Sequence, residues 1–376
     1  MKTLLLTLEY PPFHGGVANY YGNLVKYWPA SAKASAGKPD GIFVLKDNLI
    51  NQALPFLKWL PAYFALRQKI KQEKIEQVIV GQILPLGLVA WLGSRFFKIK
   101  YSVILHGLDF SFALKSWRKI TAAKLILNQA HKIIVINNYT AGLVKEFLGH
   151  AAAGKIVIVN PGVENLATRN SQLATQLRKK YKLNNKIILL SVGRLVKRKG
   201  FDKVTDALPE VLRKIPNLVY VIIGNEAELK NSQFKNAIVI NDALDAERDA
   251  WYQACDIFIM PARNIDGDYE GFGIVYLEAN LAGKPVIAGK SGGVPDAVID
   301  GLNGLMVDPE DVGEISQAII KLAQNPDLRQ KLGKRGRTRA INEFNWEKQI
   351  NKIYQFLNNE HHSCHCEERS DEAISG

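Results

Sequence analysis

Cysteine is nearly absent from this chain. Cys255, Cys364 and Cys366 are the three among 376 residues, too few and too unevenly spaced for the disulfide framework of a small secreted domain. A reducing, cytoplasmic setting is the expectation, with Cys255 a small core residue. Long apolar runs are equally scarce. Residues 78–97 come nearest to the ~20 residues that span a bilayer, but Gln82, Pro85, Gly87, Gly93 and Arg95 interrupt them. A strand over Val78–Gly81 followed by a buried helix accounts for that stretch better. The apolar start, Thr3–Leu8, is cut short by Glu9 and Pro11-Pro12 with no small-residue cleavage site, and reads as a buried first strand rather than a leader. No G-x-G-x-x-G follows that strand, since Gly15-Gly16 does not fit, and this argues against a nicotinamide-dependent oxidoreductase.

What is present is the composition of a soluble globular protein, 47% hydrophobic and 23% charged. The net charge of +13 is unevenly placed. Residues 1–165 carry 20 Lys/Arg against 8 Asp/Glu, residues 166–360 carry 28 against 24, and the last sixteen carry 1 against 4. Such asymmetry suits an anionic partner, whether a membrane surface, a phosphorylated substrate or nucleic acid; a solvated basic surface is the plainer alternative.

Short Val/Ile-rich runs without polar alternation recur, each followed by a helical pattern: Thr3–Leu8, Gly41–Leu45, Val78–Gly81, Tyr101–Leu105, Lys132–Ile136 and Ile156–Val159. The rhythm restarts with Ile187–Val192, Leu218–Ile223, Ala237–Ile240, Ile257–Met260, Pro285–Ala288 and Gly304–Val307. Strands buried on both faces and alternating with helices predict parallel βαβ units, hence α/β architecture with two doubly wound, Rossmann-like domains. Asn160-Pro161-Gly162 has turn chemistry where a linker is needed. The expected organisation is a first domain over 1–163, a second domain over 164–345, a C-terminal helix within 346–360 that packs back on the first domain, and a disordered tail over 361–376. Ligands of facing α/β domains bind beyond the carboxyl ends of the strands, in the central cleft.

The unusual residues fall there. After Met260 comes a loop carrying Asp268-Tyr269-Glu270-Gly271-Phe272-Gly273, then a helix over Ile274–Leu281 with Glu278 one turn in. A helix N-terminus presents free N–H groups and partial positive charge to a phosphate. After Val192 comes Gly193-Arg194-Leu195-Val196-Lys197-Arg198-Lys199-Gly200. There the fork of Arg194 and the mobile charge of Lys199 can neutralise a diphosphate, while Lys197 and Arg198 are expected to face solvent. In the first half, Gly15-Gly16 lies between a strand and a helix, and His106 follows the fourth strand.

Glu270 and Glu278 with seven residues between them, Gly-Phe-Gly and Gly292-Gly293-Val294-Pro295-Asp296 together resemble the EX7E signature of retaining GT-B glycosyltransferases of family 4. The segment Asp268–Val275 is similar to the branch that includes phosphatidylinositol mannosyltransferases, and the likeness extends from Met1 to about Leu357. The resemblance implies a hexose moved from a nucleotide sugar to a hydroxyl acceptor, in lipid-linked glycan or cell-surface polysaccharide synthesis. Arg194 and Lys199 would hold the diphosphate, with Phe272, Gly273 and Ile274 at the helix terminus. Glu278 would bind the ribose, Glu270 would orient the transferred sugar, His106 would hydrogen-bond it, and Gly15 and Gly16 would lie against sugar and diphosphate. The family typically uses no metal or other cofactor, and nucleic acid is not an expected partner.

Two departures from the family pattern border the base pocket: Gly224-Asn225-Glu226 in place of a Gly-x-Gly turn, and Asn241 in place of a glycine. On the acceptor side, Leu54–Lys71, with Trp59, Lys69 and Lys71, and the cluster Phe112, Lys115, Trp117, Arg118 and Lys119 mix aromatics with cations. Such segments suit the inner face of the plasma membrane, or else are core helices with snorkelling lysines. A soluble acceptor and a catalytically inactive membrane-associated relative are the alternative functions. The tail His361-His362-Ser363-Cys364-His365-Cys366 has zinc-binding residue types but reads as an appended polar segment.

Overall fold

The computed structural model of the protein describes residues 1–13, 15–29, 41–54, 57–164 and 171–358. His14, Pro55, Phe56 and the tail with its His/Cys cluster lie outside the described residues.

Among the described residues, twelve strands form two six-stranded sheets whose pairs are all parallel. The first sheet has the order β2-β1-β3-β4-β5-β6, built from β1 (Thr3–Leu6), β2 (Ile42–Leu45), β3 (Gln77–Val80), β4 (Lys100–Leu105), β5 (Lys132–Val135) and β6 (Ile156–Ile158). The second has the order β12-β11-β10-β7-β8-β9, from β7 (Ile187–Val192), β8 (Leu218–Ile223), β9 (Ala237–Ile240), β10 (Ile257–Met260), β11 (Val286–Gly289) and β12 (Gly304–Val307). Every strand expected from the sequence is present. The stretch weighed as a membrane span divides into β3 and helix α3 (Leu86–Phe97), and no helix among the described residues is long and apolar enough to cross a membrane.

Helices cover both faces of each sheet, which is why the strands read as unbroken apolar runs. Side chains alternate between faces along a strand. In the first sheet Leu4, Leu6, Val78, Val80, Val103 and Leu105 therefore pack under α2 (Leu60–Glu73), α3 and α5 (Trp117–Gln129). Their alternates Leu5, Ile79, Ile104 and Ile134 join a core that includes Tyr20 and Tyr21 of α1 (Gly16–Lys26) and continues into the second half. The last helix, α14 (Trp346–Asn358), knits this together. Trp346 stacks edge-on against Tyr20 at 5.5 Å, Tyr354 against Trp28 at 5.6 Å, and Val163 N donates to the Phe344 carbonyl at 2.7 Å.

Candidate active site

The second sheet supplies a charged wall. Between β7 and α8 (Phe201–Lys214) the chain makes one tight turn, Lys197–Lys199. Arg194 and Lys197 are exposed, whereas Arg198 and Lys199 are buried. Arg198 thus does not face solvent as expected. In a turn of about three residues, successive side chains point some 120° apart, and here one of the three cations points outward.

Arg198 Nη1 lies 2.6 Å from Glu270 Oε2 and its Nε lies 3.1 Å from Asp268 Oδ1, while Lys199 Nζ reaches the same Glu270 oxygen at 2.6 Å. Burial alone would raise the Glu270 pKa, but Lys199 and Arg198 outweigh it and hold the carboxyl down at about 2. Both cations meet Oε2, so Oε1 has no hydrogen-bond partner among the described residues.

Gly273 begins α10 (Ile274–Leu281) at φ +83°, and a Cβ there would sit 2.4 Å from Tyr276 Cε2, so only glycine serves. In the first turn of α10 Tyr276 N donates to the Gly273 carbonyl at 3.0 Å, while the N–H groups of Ile274 and Val275 have no partner among the described residues. The Phe272 ring packs inward on Phe344 at 5.6 Å, which leaves its backbone rather than its side chain toward the loop. Ile274 is half-buried against the core. Glu278 Oε2 accepts from the Tyr252 hydroxyl at 2.7 Å, on α9 (Asp245–Ala254); burial lifts its pKa against the pull of Arg248 and Tyr252.

The first sheet contributes an uncharged wall. His106, just past β4, donates its backbone N–H to Asp109 Oδ1 at 2.9 Å, and its Nε2 lies 2.8 Å from the Tyr21 hydroxyl. Burial pushes the imidazole down to about 4 and the Asp109 carboxyl up to about 7. The walls meet at Gly271, where an added Cβ would lie 3.0 Å from the His106 carbonyl oxygen and whose own carbonyl accepts from Asn137 Nδ2. Asn138 N and Asn160 Nδ2 both donate to Asp296 Oδ2, at 2.8 and 3.3 Å. These contacts close the back of the cleft.

The fold thus gathers Glu270, Lys199, Gly273 and His106 around one loop. Arg194 reaches into solvent beside Lys199, with no ion pair among the described residues. Gly15 and Gly16 touch none of the others; a Cβ at either would meet nothing within 4 Å, and Gly15 is extended at φ 164°. Among the described residues nothing therefore demands glycine at these two positions. Arg198, Tyr252 and Tyr21 escaped the reading of the sequence. Arg198 stood in a run of cations expected to face solvent, and no motif in the sequence sets the two tyrosines apart.

Two parallel α/β halves meeting across such a cleft form the GT-B architecture. Residues 14–165 match the family described as Glycosyltransferase Family 4 and residues 174–339 that described as Glycosyl transferases group 1; the chain belongs to the GT-B glycosyltransferases of family 4. It is 29% identical over 375 residues to a GDP-mannose-dependent alpha-(1-6)-phosphatidylinositol monomannoside mannosyltransferase of Mycolicibacterium smegmatis, covering 94% of this chain and 97% of that protein. A GDP-mannose-dependent monoacylated alpha-(1-6)-phosphatidylinositol monomannoside mannosyltransferase of Corynebacterium glutamicum is 27% identical, with 96% and 98% covered. Among solved structures, HepE of Anabaena in complex with UDP shares the fold at TM-score 0.76 and 19% identity, over 95% of this chain and 99% of that one.

Proposed function

We propose that the protein transfers a hexosyl group, with retention of configuration, from a nucleoside-diphosphate sugar to a hydroxyl acceptor held at an anionic membrane face on the cytoplasmic side. The observation that carries this reading is the buried Arg198–Glu270–Lys199 cluster, set beside the exposed Arg194 and the open N-terminus of α10. Breaking the bond between the anomeric carbon and the diphosphate oxygen leaves negative charge on the departing group. Arg194, Lys199 and the α10 N–H groups are aimed where that charge develops. They supply the neutralisation a divalent cation would otherwise give, so turnover persists in excess EDTA. Glu270 Oε1 accepts from hydroxyls of the transferred sugar, and Glu278, steadied by Tyr252, accepts from the ribose. The acceptor hydroxyl attacks on the face the diphosphate leaves, and its proton passes to the departing phosphate oxygen.

The relatives' names make GDP-mannose the first donor to test. A panel of GDP, UDP and ADP in thermal unfolding identifies the nucleotide, since a ligand at about 100 times its Kd stabilises the native state by about 2.7 kcal/mol. No shift with any of the three would overturn the reading. The Asn225 side chain and Asp242 exchange two hydrogen bonds, at 2.7 and 2.8 Å, across the expected base pocket.

A membrane acceptor site is supported by the outward helices of the first half. Phe64 of α2, Phe96 of α3 and Trp117 of α5 are 54%, 67% and 72% exposed. Among them stand the exposed cations Arg67, Lys71, Arg95, Lys98, Lys115, Arg118 and Lys119.

A further inference from the structure

The uncharged wall holds a hydrogen-bond chain whose direction is fixed. The Tyr21 hydroxyl lies 2.7 Å from the Gly81 carbonyl oxygen and 2.8 Å from His106 Nε2. A carbonyl oxygen only accepts and a phenol has one proton, so Tyr21 donates to Gly81 and can only accept from His106. The imidazole proton therefore sits on Nε2, and in the neutral ring Nδ1 carries the lone pair. Burial keeps the ring neutral at physiological pH. Nδ1 makes no hydrogen bond among the described residues.

The surroundings are built for this geometry. Tyr21 is fully buried, and the rings of Tyr20 and Tyr21 meet the imidazole edge-on at 5.0 and 5.3 Å. Residue 81 must be glycine, because a Cβ there would lie 2.7 Å from Thr7 Oγ1 and 2.9 Å from Tyr21 Cζ.

We propose that Tyr21 is a positioning residue for sugar transfer: by holding His106 as the Nε2–H tautomer, it makes Nδ1 an obligate acceptor for one hydroxyl of the transferred sugar. The identity of the group filling the cleft rests on the glycosyltransferase reading; the tautomer does not. The chemistry implies selectivity, since a donor deoxygenated or fluorinated at that position offers Nδ1 no proton and leaves a polar contact unmade.

Nitrogen NMR of 15N-histidine-labelled protein, with His106 identified by its loss in His106→Gln, reads the tautomer directly and needs no substrate. The expected result is Nε2–H in the wild type and a mixture in Tyr21→Phe, which keeps the ring but deletes the acceptor. A wild-type Nδ1–H tautomer, or an unchanged tautomer in Tyr21→Phe, overturns the proposal. A wild-type Nδ1–H signal overturns the proposal even if the variant does not fold. In turnover, Tyr21→Phe should lower kcat/KM on the order of tenfold, with binding of free nucleoside diphosphate unchanged. Of donors deoxygenated at each sugar hydroxyl in turn, one should lose activity with the wild type and lose much less with Tyr21→Phe; equal losses in both for every donor overturn the sugar contact. Wild-type protein that binds none of GDP, UDP and ADP would instead overturn the glycosyltransferase reading.

Discussion

The two walls of the cleft work by different physics. The wall from the second sheet is ionic, with two buried cations on one carboxylate oxygen and a third cation free in solvent beside them. The wall from the first sheet is a chain of neutral hydrogen bonds through His106 and Tyr21. Yet the first 165 residues hold most of the chain's net positive charge. Bulk charge therefore does not point to the chemistry. Arg67, Lys71, Arg95, Arg118 and Lys119 of the first half lie exposed on its outer helices, while the second half sets Arg194, Arg198 and Lys199 at the cleft. Such a division suits a donor whose diphosphate is charged and whose sugar is not.

The sharpest way to break this comparison is to remove charge from each wall in turn. Lys199→Ala or Arg194→Ala should cut kcat by roughly 100- to 1000-fold, because each takes a preorganised cation from the charge that develops in the transition state. His106→Gln, which removes a neutral contact, should cost far less, on the order of tenfold. Equal losses on both walls, measured with one donor at saturation, would show that the ionic wall has no special part in the chemistry.

A finer contrast lies within the ionic wall, between its two glutamates. Glu270→Gln leaves Lys199 buried without its counter-charge and Arg198 with Asp268 alone, a change that typically costs about 3 kcal/mol or more. It should lower Tm in the free protein, and a nucleoside diphosphate, by meeting the freed Lys199, should restore much of the loss. Nucleotide affinity should be unchanged or tighter while sugar transfer falls. Glu278→Gln should do the reverse, weakening nucleotide binding on the order of tenfold through the ribose with little effect on Tm. Calorimetric titration of both variants with free nucleotide checks this; parallel losses of affinity would contradict the assignment.

Much of this was legible in the sequence, for identifiable reasons. The strands announced themselves because both faces of each sheet are covered, so that segments such as Ile187–Val192 and Ile257–Met260 carry no polar alternation. Gly273 was legible because its left-handed backbone and the Tyr276 ring leave no room for another residue. Arg198 was not, because a one-residue change of phase in a tight turn decides whether a cation faces water or Glu270, and periodicity does not resolve that. Tyr21 and Tyr252 were hidden for a different reason. Each buries its ring in the core and acts through a single hydroxyl, and the apolar pattern records only the ring.

The walls should also answer differently to acid. Glu270 is depressed to about 2, so its stabilising contribution is complete above its unfolded value near 4.5 and is lost only as pH falls through about 2. The other wall titrates nearer neutrality and in two opposing senses. His106, lowered from 6.5 to about 4, favours the native state above 6.5 and loses that contribution as pH falls toward 4. Asp109, raised from 3.8 to about 7, favours it below 3.8 and loses that contribution as pH rises toward 7. Between about 4 and 6.5 the two slopes oppose each other. In Asp109→Asn the compensation is gone, so Tm should climb more steeply with pH across that window than in the wild type. Superimposable pH profiles of Tm would mean that Asp109 is not held protonated by its burial.

The smallest effect belongs to the outer surface, and it separates cleft charge from surface charge. Trp59 and Lys69 are poor probes of a membrane face, because Trp59 is half-buried against the core while Lys69 pairs with Glu73 at 3.4 Å and lies over the Phe43 ring. Trp117 and Phe112 are better: both are more than half exposed, and Arg118 and Lys115 lie over their rings at 5.3 and 4.3 Å, so each aromatic carries a cation to the same surface. Each cation near an anionic bilayer contributes on the order of 1 kcal/mol, fading within a Debye length. The single variant Arg118→Gln should therefore weaken binding to vesicles containing anionic lipid roughly fivefold at low salt, and Trp117→Ser should weaken it further. Nucleotide binding should stay at the wild-type level in both, since these residues lie on the outer helices and not on the donor wall. Vesicle sedimentation that shows no preference for anionic over neutral lipid would move the acceptor into solution and leave the ionic wall, and the chemistry assigned to it, as they are.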